Sequence, residues 1–72
     1  MDEKDILKVF GNRLKEKRKA AKLTQAKLAE KVGLSTNFIG MVERGERNTN
    51  YTNVFKVIYS LDTTLEEFFK GL

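Results

Sequence analysis

The chain has 72 residues, with 14 lysines and arginines against 10 aspartates and glutamates, and a formal net charge of +4. A chain of this length is expected to form one domain, residues 1–72, near the smallest size at which a hydrophobic core alone supports folding. It contains no cysteine and no histidine, which excludes disulfides, thiolate metal sites and catalytic sites built on imidazole.

The first predicted helix covers about residues 3–21. Ile6, Phe10 and Leu14 are four residues apart, and Val9 falls beside them, so these side chains share one face of a helix. We expect this face to pack on the core.

Residues 11–31 are strongly basic. They contain eight lysines or arginines against two glutamates, whereas residues 57–72 contain one lysine against three acidic residues. A polyanion is the natural partner of such a basic region. The alternative is a solvated helix face whose charges form i,i+4 pairs.

Two short helices follow, at about 25–32 and 36–44. Thr24 and Ser35 suit the N-cap positions, and Gly33 and Gly45 suit the left-handed conformation that ends a helix. Two helices joined by a tight turn that contains glycine are typical of a helix-turn-helix motif, here at about 25–44. Small or apolar residues occupy the positions that close the angle between the two helices: Leu28, Ala29, Val32, Leu34, Ile39 and Val42.

The chain ends with two more predicted helices. Asn50 caps one at about 51–61, and the capping box Thr64-Leu65-Glu66-Glu67 opens another at about 65–71. No alternating run between turn signals predicts a strand. The sequence therefore predicts a compact all-α domain of five helices.

The segment LTQAKLAEKVGLSTNFIGMVERGERN, residues 23–48, resembles the helix-turn-helix of the lambda-repressor-like (Xre) family of bacterial and phage regulators. The resemblance extends over about residues 10–70, and the size resembles that of stand-alone Cro-like proteins or restriction–modification controllers. It implies a transcriptional regulator that binds a palindromic operator in double-stranded DNA as a homodimer, with the third helix in the major groove. Thr49, Asp62 and Gly40 depart from the common proline, glycine and longer polar side chain of the family.

The resemblance assigns base contacts to four residues of the third helix: Thr36, Asn37, Gly40 and Met41. Asparagine can form two hydrogen bonds with adenine, and a threonine methyl group can contact the thymine methyl group. Glycine inside a helix costs about 1 kcal/mol relative to alanine, so we interpret Gly40 as allowing close approach to the groove. The alternatives are a solvated Asn37, a neutral Gly40 and a Met41 that covers the edge of the core.

Further roles follow from the resemblance. DNA-phosphate contacts are expected from Thr24, Gln25, Arg44, Arg47 and Asn48, whereas the alternative reading makes Gln25 a helix former and the arginines ordinary surface charges. Arg18 and Glu43 are expected to form a partly buried ion pair that orients the third helix on the first. That pair would not contact DNA.

Aromatic residues near the C-terminus predict a dimer interface. Val54, Val57, Ile58 and Leu61 form the core stripe of the fourth helix. Phe55 and Tyr59 lie off this stripe, and only one of Phe68 and Phe69 need join Leu65 and Leu72 in the core. We expect Phe55, Tyr59 and Phe69 to form the interface, since an exposed apolar patch often binds a partner. The alternative is that a small domain simply leaves some aromatic residues exposed.

Other classes of function are less consistent with the sequence. An antitoxin or protein-interaction module, with the same aromatic patch covering another protein, is the alternative function. We expect no enzyme, since no nucleophile–base pair is visible, and no metal, cofactor or small-molecule ligand. No apolar run approaches the ~18 residues needed to span a bilayer, and Asp2-Glu3-Lys4-Asp5 does not open a signal peptide, so we expect a cytoplasmic protein.

Overall fold

The computed structural model describes residues 1–72 and contains five helices and no strand. The helices are α1 (Glu3–Ala20), α2 (Gln25–Val32), α3 (Thr36–Glu43), α4 (Tyr51–Ser60) and α5 (Leu65–Phe69). The prediction of an all-α, five-helix fold is confirmed. The predicted helix ends differ from the observed ones by at most two residues, the largest difference being at the end of α5. No helix is both long and apolar enough to cross a membrane.

Each helix begins at a side chain that caps it. The side-chain oxygen of the N-cap residue accepts a hydrogen bond from the backbone N–H three residues later, at 2.8–3.1 Å. These bonds satisfy donors that have no partner inside the helix. The capping residues are Asp2, Thr24, Ser35, Asn50 and Thr64.

The turns around the helix-turn-helix use left-handed backbone. Gly33, at the end of α2, has φ 73°, and Gly45, after α3, has φ 75°. Asp62, at a position where the resemblance implies a glycine, has φ 55° after α4. Aspartate tolerates this conformation better than most residues, so the turn forms without a glycine.

One hydrophobic cluster lies at the centre of the five helices. Its members come from every helix and from the residue that follows α4: Leu14, Leu28, Ala29, Val32, Ile39, Val42, Val57, Ile58, Leu61 and Phe68. Phe68, and not Phe69, is the fully buried aromatic residue of α5.

Two residues that we expected in the core are exposed. Ile6 is 52% exposed and Leu72 is 57% exposed. Both line an apolar groove between the start of α1 and the end of the chain, and no helix fills that groove. Ile6 lies one helical turn before Phe10 on α1, but the core packing that reaches Phe10 and Leu14 does not extend to Ile6.

The backbones of α1 and α3 touch where they cross at Gly11. A Cβ atom at Gly11 would collide with the carbonyl oxygen of Val42 and would lie 2.6 Å from that of Glu43. Only glycine allows this approach. We predicted no role for Gly11 from the sequence, although the residue sets how closely α3 lies against α1.

Candidate nucleic-acid interface

α3 has one buried face and one face open to solvent. Ile39 and Val42 are 1% and 4% exposed, whereas Thr36 and Asn37 are exposed and Met41 is half-buried. The cap at Ser35 and the left-handed Gly33 fix where this helix starts relative to α2. The exposed first turn can therefore contact a surface without losing any core contact.

A buried polar network fixes the inner side of α3. Arg18 Nε and Nη2 donate to the two carboxylate oxygens of Glu43, at 2.6 and 3.1 Å. Gln25 Nε2 donates to Glu43 Oε1 at 3.0 Å, and Arg18 Nη1 donates to the Leu23 carbonyl at 2.7 Å. The network joins α1, the start of α2 and the end of α3. The expected ion pair is present, and Gln25 braces α3 through Glu43.

Gly40 does not lie on open surface, contrary to our expectation. It is buried, and a Cβ atom there would lie 3.1 Å from Arg44 Nη1 and 3.4 Å from Gln25 Oε1. The side chains of two residues expected to contact phosphate therefore cover it. Its contact with a base remains a prediction that requires these side chains to move.

The loop after α3 carries an exposed ion pair. Arg44 Nε pairs with Glu46 Oε2 at 3.1 Å, and both side chains are more than half exposed. Exposed ion pairs contribute little to stability, about 0–1 kcal/mol, so Arg44 can exchange Glu46 for a phosphate.

The next two residues of this loop make other contacts. The Arg47 guanidinium lies 5.8 Å from the centre of the Phe38 ring, within the range of a cation–π contact. Asn48 is exposed, and its Oδ1 accepts from the Thr49 N–H at 2.8 Å.

The N-terminus of α2 offers free hydrogen-bond donors. The exposed Thr24 hydroxyl accepts from the Lys27 N–H, whereas the N–H groups of Gln25 and Ala26 have no acceptor in the chain. Helix N-termini of this kind favour anions.

Not all of the basic segment is available to a polyanion. Arg18 is in the buried network, and Arg13 Nη1 donates to the carbonyls of Phe68 and Lys70. Arg13 therefore ties the end of α5 to α1. Sequence reasoning missed this role because the contact joins residues 55 and 57 positions apart.

The expected interface residues do not form one continuous patch of aromatic contacts. The rings of Phe55 and Tyr59 are 6.2 Å apart on α4, and these side chains are 46% and 53% exposed. Tyr51, at the same helical spacing, is 80% exposed, and its i,i+4 spacing was the signal that we overlooked. We call these three residues the α4 stripe. Phe69 instead contacts the rings of Phe10 and Phe68.

The structure holds no cluster of three or more acidic, histidine or cysteine side chains that could hold a metal ion.

Comparisons with known sequences identify related regulators. Residues 14–68 match the family model described as helix-turn-helix. The chain is 35% identical over 69 residues to the control protein C.MunI from Mycoplasma sp., covering 94% of this chain and 93% of that protein. It is 33% identical over 63 residues to the uncharacterized HTH-type transcriptional regulator YqaE of Bacillus subtilis strain 168, covering 88% of this chain and 54% of that protein.

Solved structures that resemble this chain are also those of regulators. The restriction-modification controller protein C.AhdI from Aeromonas hydrophila aligns with a TM-score of 0.89 and 40% identity, covering 96% of this chain and all of that one. The clp gene regulator ClgR from Corynebacterium glutamicum shares the fold, with a TM-score of 0.83 at 21% identity over 86% of this chain and 66% of that one. The motif at 25–44, the packing of α3 and these matches lead to one conclusion: the chain belongs to the lambda-repressor-like (Xre) helix-turn-helix family of DNA-binding transcriptional regulators.

Proposed function

We propose that this protein binds a palindromic operator as a homodimer and reads it with α3 in the major groove. The main support for the proposal is that one face of α3 is fixed to the rest of the fold and the opposite face is open to solvent. Its inner side is fixed by the Arg18–Glu43–Gln25 network, while Thr36 and Asn37 project into solvent from the first turn. A helix that contacts base edges has to be held rigidly by the rest of the fold and has to leave its outer face free for DNA.

The proposed contacts divide into two classes. Thr36, Asn37 and Met41 contact base edges, and Gly40 comes near the bases once Arg44 has moved to a phosphate. Thr24, Gln25, Arg44, Arg47 and Asn48 hold the DNA backbone, together with the free N–H groups of Gln25 and Ala26. The first class sets sequence preference, and the second sets position and salt dependence.

The proposed dimer forms through the α4 stripe. Three exposed aromatic side chains on one helix are a large apolar area for a small domain, and burying them against their symmetry mates would form a two-fold interface. Phe69, which we also expected at the interface, is 40% exposed and contacts the rings of Phe10 and Phe68. Its place in the interface stays a prediction beside that of the α4 stripe.

We further propose a biological role as a controller of restriction–modification genes. The support is the similarity over nearly the whole chain to two proteins described as control or controller proteins, at 35% and 40% identity. A protein-interaction module is the second candidate, and the α4 stripe is the observation that favours it. In that case another protein, and not a second copy, would cover the stripe.

Selection of bound duplexes from a random pool tests the central proposal. We expect an enriched palindrome whose half-sites are centred about one helical turn, or about 10 base pairs, apart, or a multiple of that distance. A chemical-footprinting pattern confined to the minor groove would contradict the proposed role of α3. Enrichment of no sequence would contradict specific recognition altogether.

A further inference from the structure

Phe38 lies at the border between the core and the proposed DNA surface. Its side chain is half-buried and packs against the hydrophobic cluster. The same side chain is the only apolar one in an open polar cleft, whose other lining residues are Arg47, Asn48, Thr49, Asn50 and Asn53. Because the packed core restricts the rotamers of the ring, Phe38 presents a fixed aromatic surface to the loop that follows α3.

The guanidinium of Arg47 lies over this ring, 5.8 Å from the ring centre. The Arg47 side chain is exposed and forms no ion pair and no hydrogen bond. The acidic residue of the same loop, Glu46, is paired with Arg44 instead. The Phe38 ring is therefore the one specific partner of the Arg47 side chain.

The backbone that carries Arg47 is held on both sides. Before it, the N–H groups of Gly45 and Glu46 donate to carbonyls of α3 at 3.0 and 2.9 Å. After it, Asn53 Nδ2 donates to Thr49 Oγ1 at 3.1 Å, which ties the loop to α4. With the backbone fixed in this way, the freedom that remains at Arg47 is that of its side chain, and the contact with the ring restricts it.

The contact with the ring leaves the hydrogen-bond donors of Arg47 available. A cation–π attraction acts between the charge of the guanidinium and the face of the ring. The N–H groups of the guanidinium, which match the geometry of a phosphate, keep no acceptor in the chain. Arg44 differs, because it has to release Glu46 before it can pair with a phosphate. Arg47 is thus held in place without a competing anion.

We propose that Phe38 is a positioning residue for DNA binding, whose ring holds the Arg47 guanidinium where it meets a DNA phosphate. The inference rests on the proposed function of Arg47 as a phosphate contact. An arginine side chain loses rotamer freedom when a ligand immobilises it, and the ring removes part of that freedom before DNA binds. Phe38 needs no contact with DNA for this role, so loss of its ring weakens binding through Arg47 alone.

The contact is tested first in the parent protein without DNA, by nuclear magnetic resonance. An aromatic ring shifts the resonances of protons above its face upfield. We expect the side-chain protons of Arg47 to resonate upfield of those of Arg44, to show Overhauser contacts with the Phe38 ring, and to lose the upfield shift in Phe38→Leu. An unshifted Arg47 side chain without contacts to the ring in the parent protein would overturn the proposal.

A double-mutant cycle on DNA separates positioning from folding. Phe38→Leu removes the ring but keeps an apolar side chain against the core, and Arg47→Met removes the charge but keeps an unbranched side chain. With Arg47 present, Phe38→Leu should lower operator affinity by about two- to fivefold per subunit, the value of an exposed cation–π contact. In the Arg47→Met background the same change should cause no further loss. Equal losses in both backgrounds would mean that the ring acts independently of Arg47, which overturns the proposal.

Two further measurements distinguish positioning from a structural role or a base contact. Phe38→Tyr keeps the aromatic face and should keep the affinity of the parent protein, whereas a loss as large as that in Phe38→Leu contradicts the proposal. Phe38→Leu should also lower affinity for random DNA by the same factor as for the operator, since phosphate contacts carry no sequence information. A loss confined to the operator would make Phe38 a base contact and overturn its positioning role.

Failure of this inference differs from failure of the proposed function. Circular dichroism shows whether each variant is folded, and if Phe38→Leu is unfolded, the resonances of the parent protein and the affinity of Phe38→Tyr decide. If the parent protein binds DNA but the cycle shows no coupling between the two residues, only the role of Phe38 is wrong. If the parent protein binds no duplex, the proposed function fails, and the resonances of Arg47 still decide whether the ring holds its side chain.

Discussion

Arg18 and Glu43 join α1 to α3 through two parallel hydrogen bonds, with Arg18 Nε 2.6 Å from Glu43 Oε2 and Nη2 3.1 Å from Oε1. Their side chains are 8% and 2% exposed. Because Gln25 donates to the same carboxylate, the pair also sets where α2 meets α3. The orientation of the proposed reading helix thus depends on charges removed from solvent.

Removing one member of this pair should be costly. Arg18→Met leaves the buried Glu43 carboxylate without its cation, and breaking a buried pair in this way costs about 3–5 kcal/mol. Urea unfolding followed by circular dichroism measures the loss. The exposed Lys27–Glu30 pair is the control, since Lys27→Met should change stability by less than about 0.5 kcal/mol. Similar losses in both variants would show that the buried pair has no special role.

Gly11 should tolerate no side chain. Gly11→Ala places a methyl group against the backbone carbonyls of Val42 and Glu43, and overpacking of this kind costs about 1–3 kcal/mol despite the better helix propensity of alanine. Thermal unfolding measures the change. A Gly11→Ala variant as stable as the parent would mean that α1 and α3 separate easily.

Gly40 should respond in the opposite way. The one atom nearer to a new Cβ atom than ordinary contact is Nη1 of Arg44, at 3.1 Å. It is the end of an exposed side chain that can shift, so Gly40→Ala should stabilise the fold by up to about 1 kcal/mol. Arg44 is a proposed phosphate contact, and we expect its displacement to lower operator affinity. Urea unfolding measures the stability of the variant, and fluorescence anisotropy with a labelled operator measures its affinity for DNA. Greater stability with unchanged affinity would make Gly40 neutral for DNA binding.

Asn37 and Arg47 should differ in what they recognise. Asn37→Ala should cost about 1–3 kcal/mol on the selected operator and much less on random DNA, and should relax the preference at one base pair per half-site. Arg47→Ala should weaken binding to all sequences alike and reduce the salt slope by about one per subunit. Binding isotherms of each variant on the selected operator and on random DNA distinguish a base contact from a phosphate contact. A uniform loss in Asn37→Ala would place that residue on the backbone and not on a base.

Salt should weaken the complex steeply. With about six to ten phosphate contacts per dimer, affinity should fall by roughly 10³–10⁵ between 50 and 200 mM salt. Titrations at four salt concentrations with the selected duplex measure the slope. A flat dependence would contradict the proposed set of phosphate contacts.

Tyr59 should matter for self-association and not for folding. Tyr59→Lys adds charge to the α4 stripe at a side chain that is 53% exposed, so we expect a shift toward monomer in sedimentation at unchanged circular dichroism. Asn12→Lys adds the same charge at an exposed position of α1 and should leave the association unchanged. If the parent protein is a monomer at about millimolar concentration, the proposed α4 interface is wrong.

Local sequence was enough to predict most of the fold. Helix starts depend on contacts between residues three positions apart, so Thr24, Ser35, Asn50 and Thr64 indicated them directly. Gly33 and Gly45 likewise predicted the turns, because a positive φ depends on the residue at that one position and glycine adopts it without strain. Arg18 and Glu43 could be paired only through the family resemblance, because 25 positions separate them in the chain.

The tertiary structure decided which surfaces are free. Helical spacing placed Ile6 on the same face as Leu14, but packing buries Leu14 and leaves Ile6 at an open groove. Gly40 lay on the predicted outer face, yet the side chains of Gln25 and Arg44 cover it. Arg13 belongs to the basic segment, but its guanidinium donates hydrogen bonds to carbonyls at the end of α5. In each case exposure depends on which distant segment lies nearby, and periodicity along one helix carries no information about that neighbour.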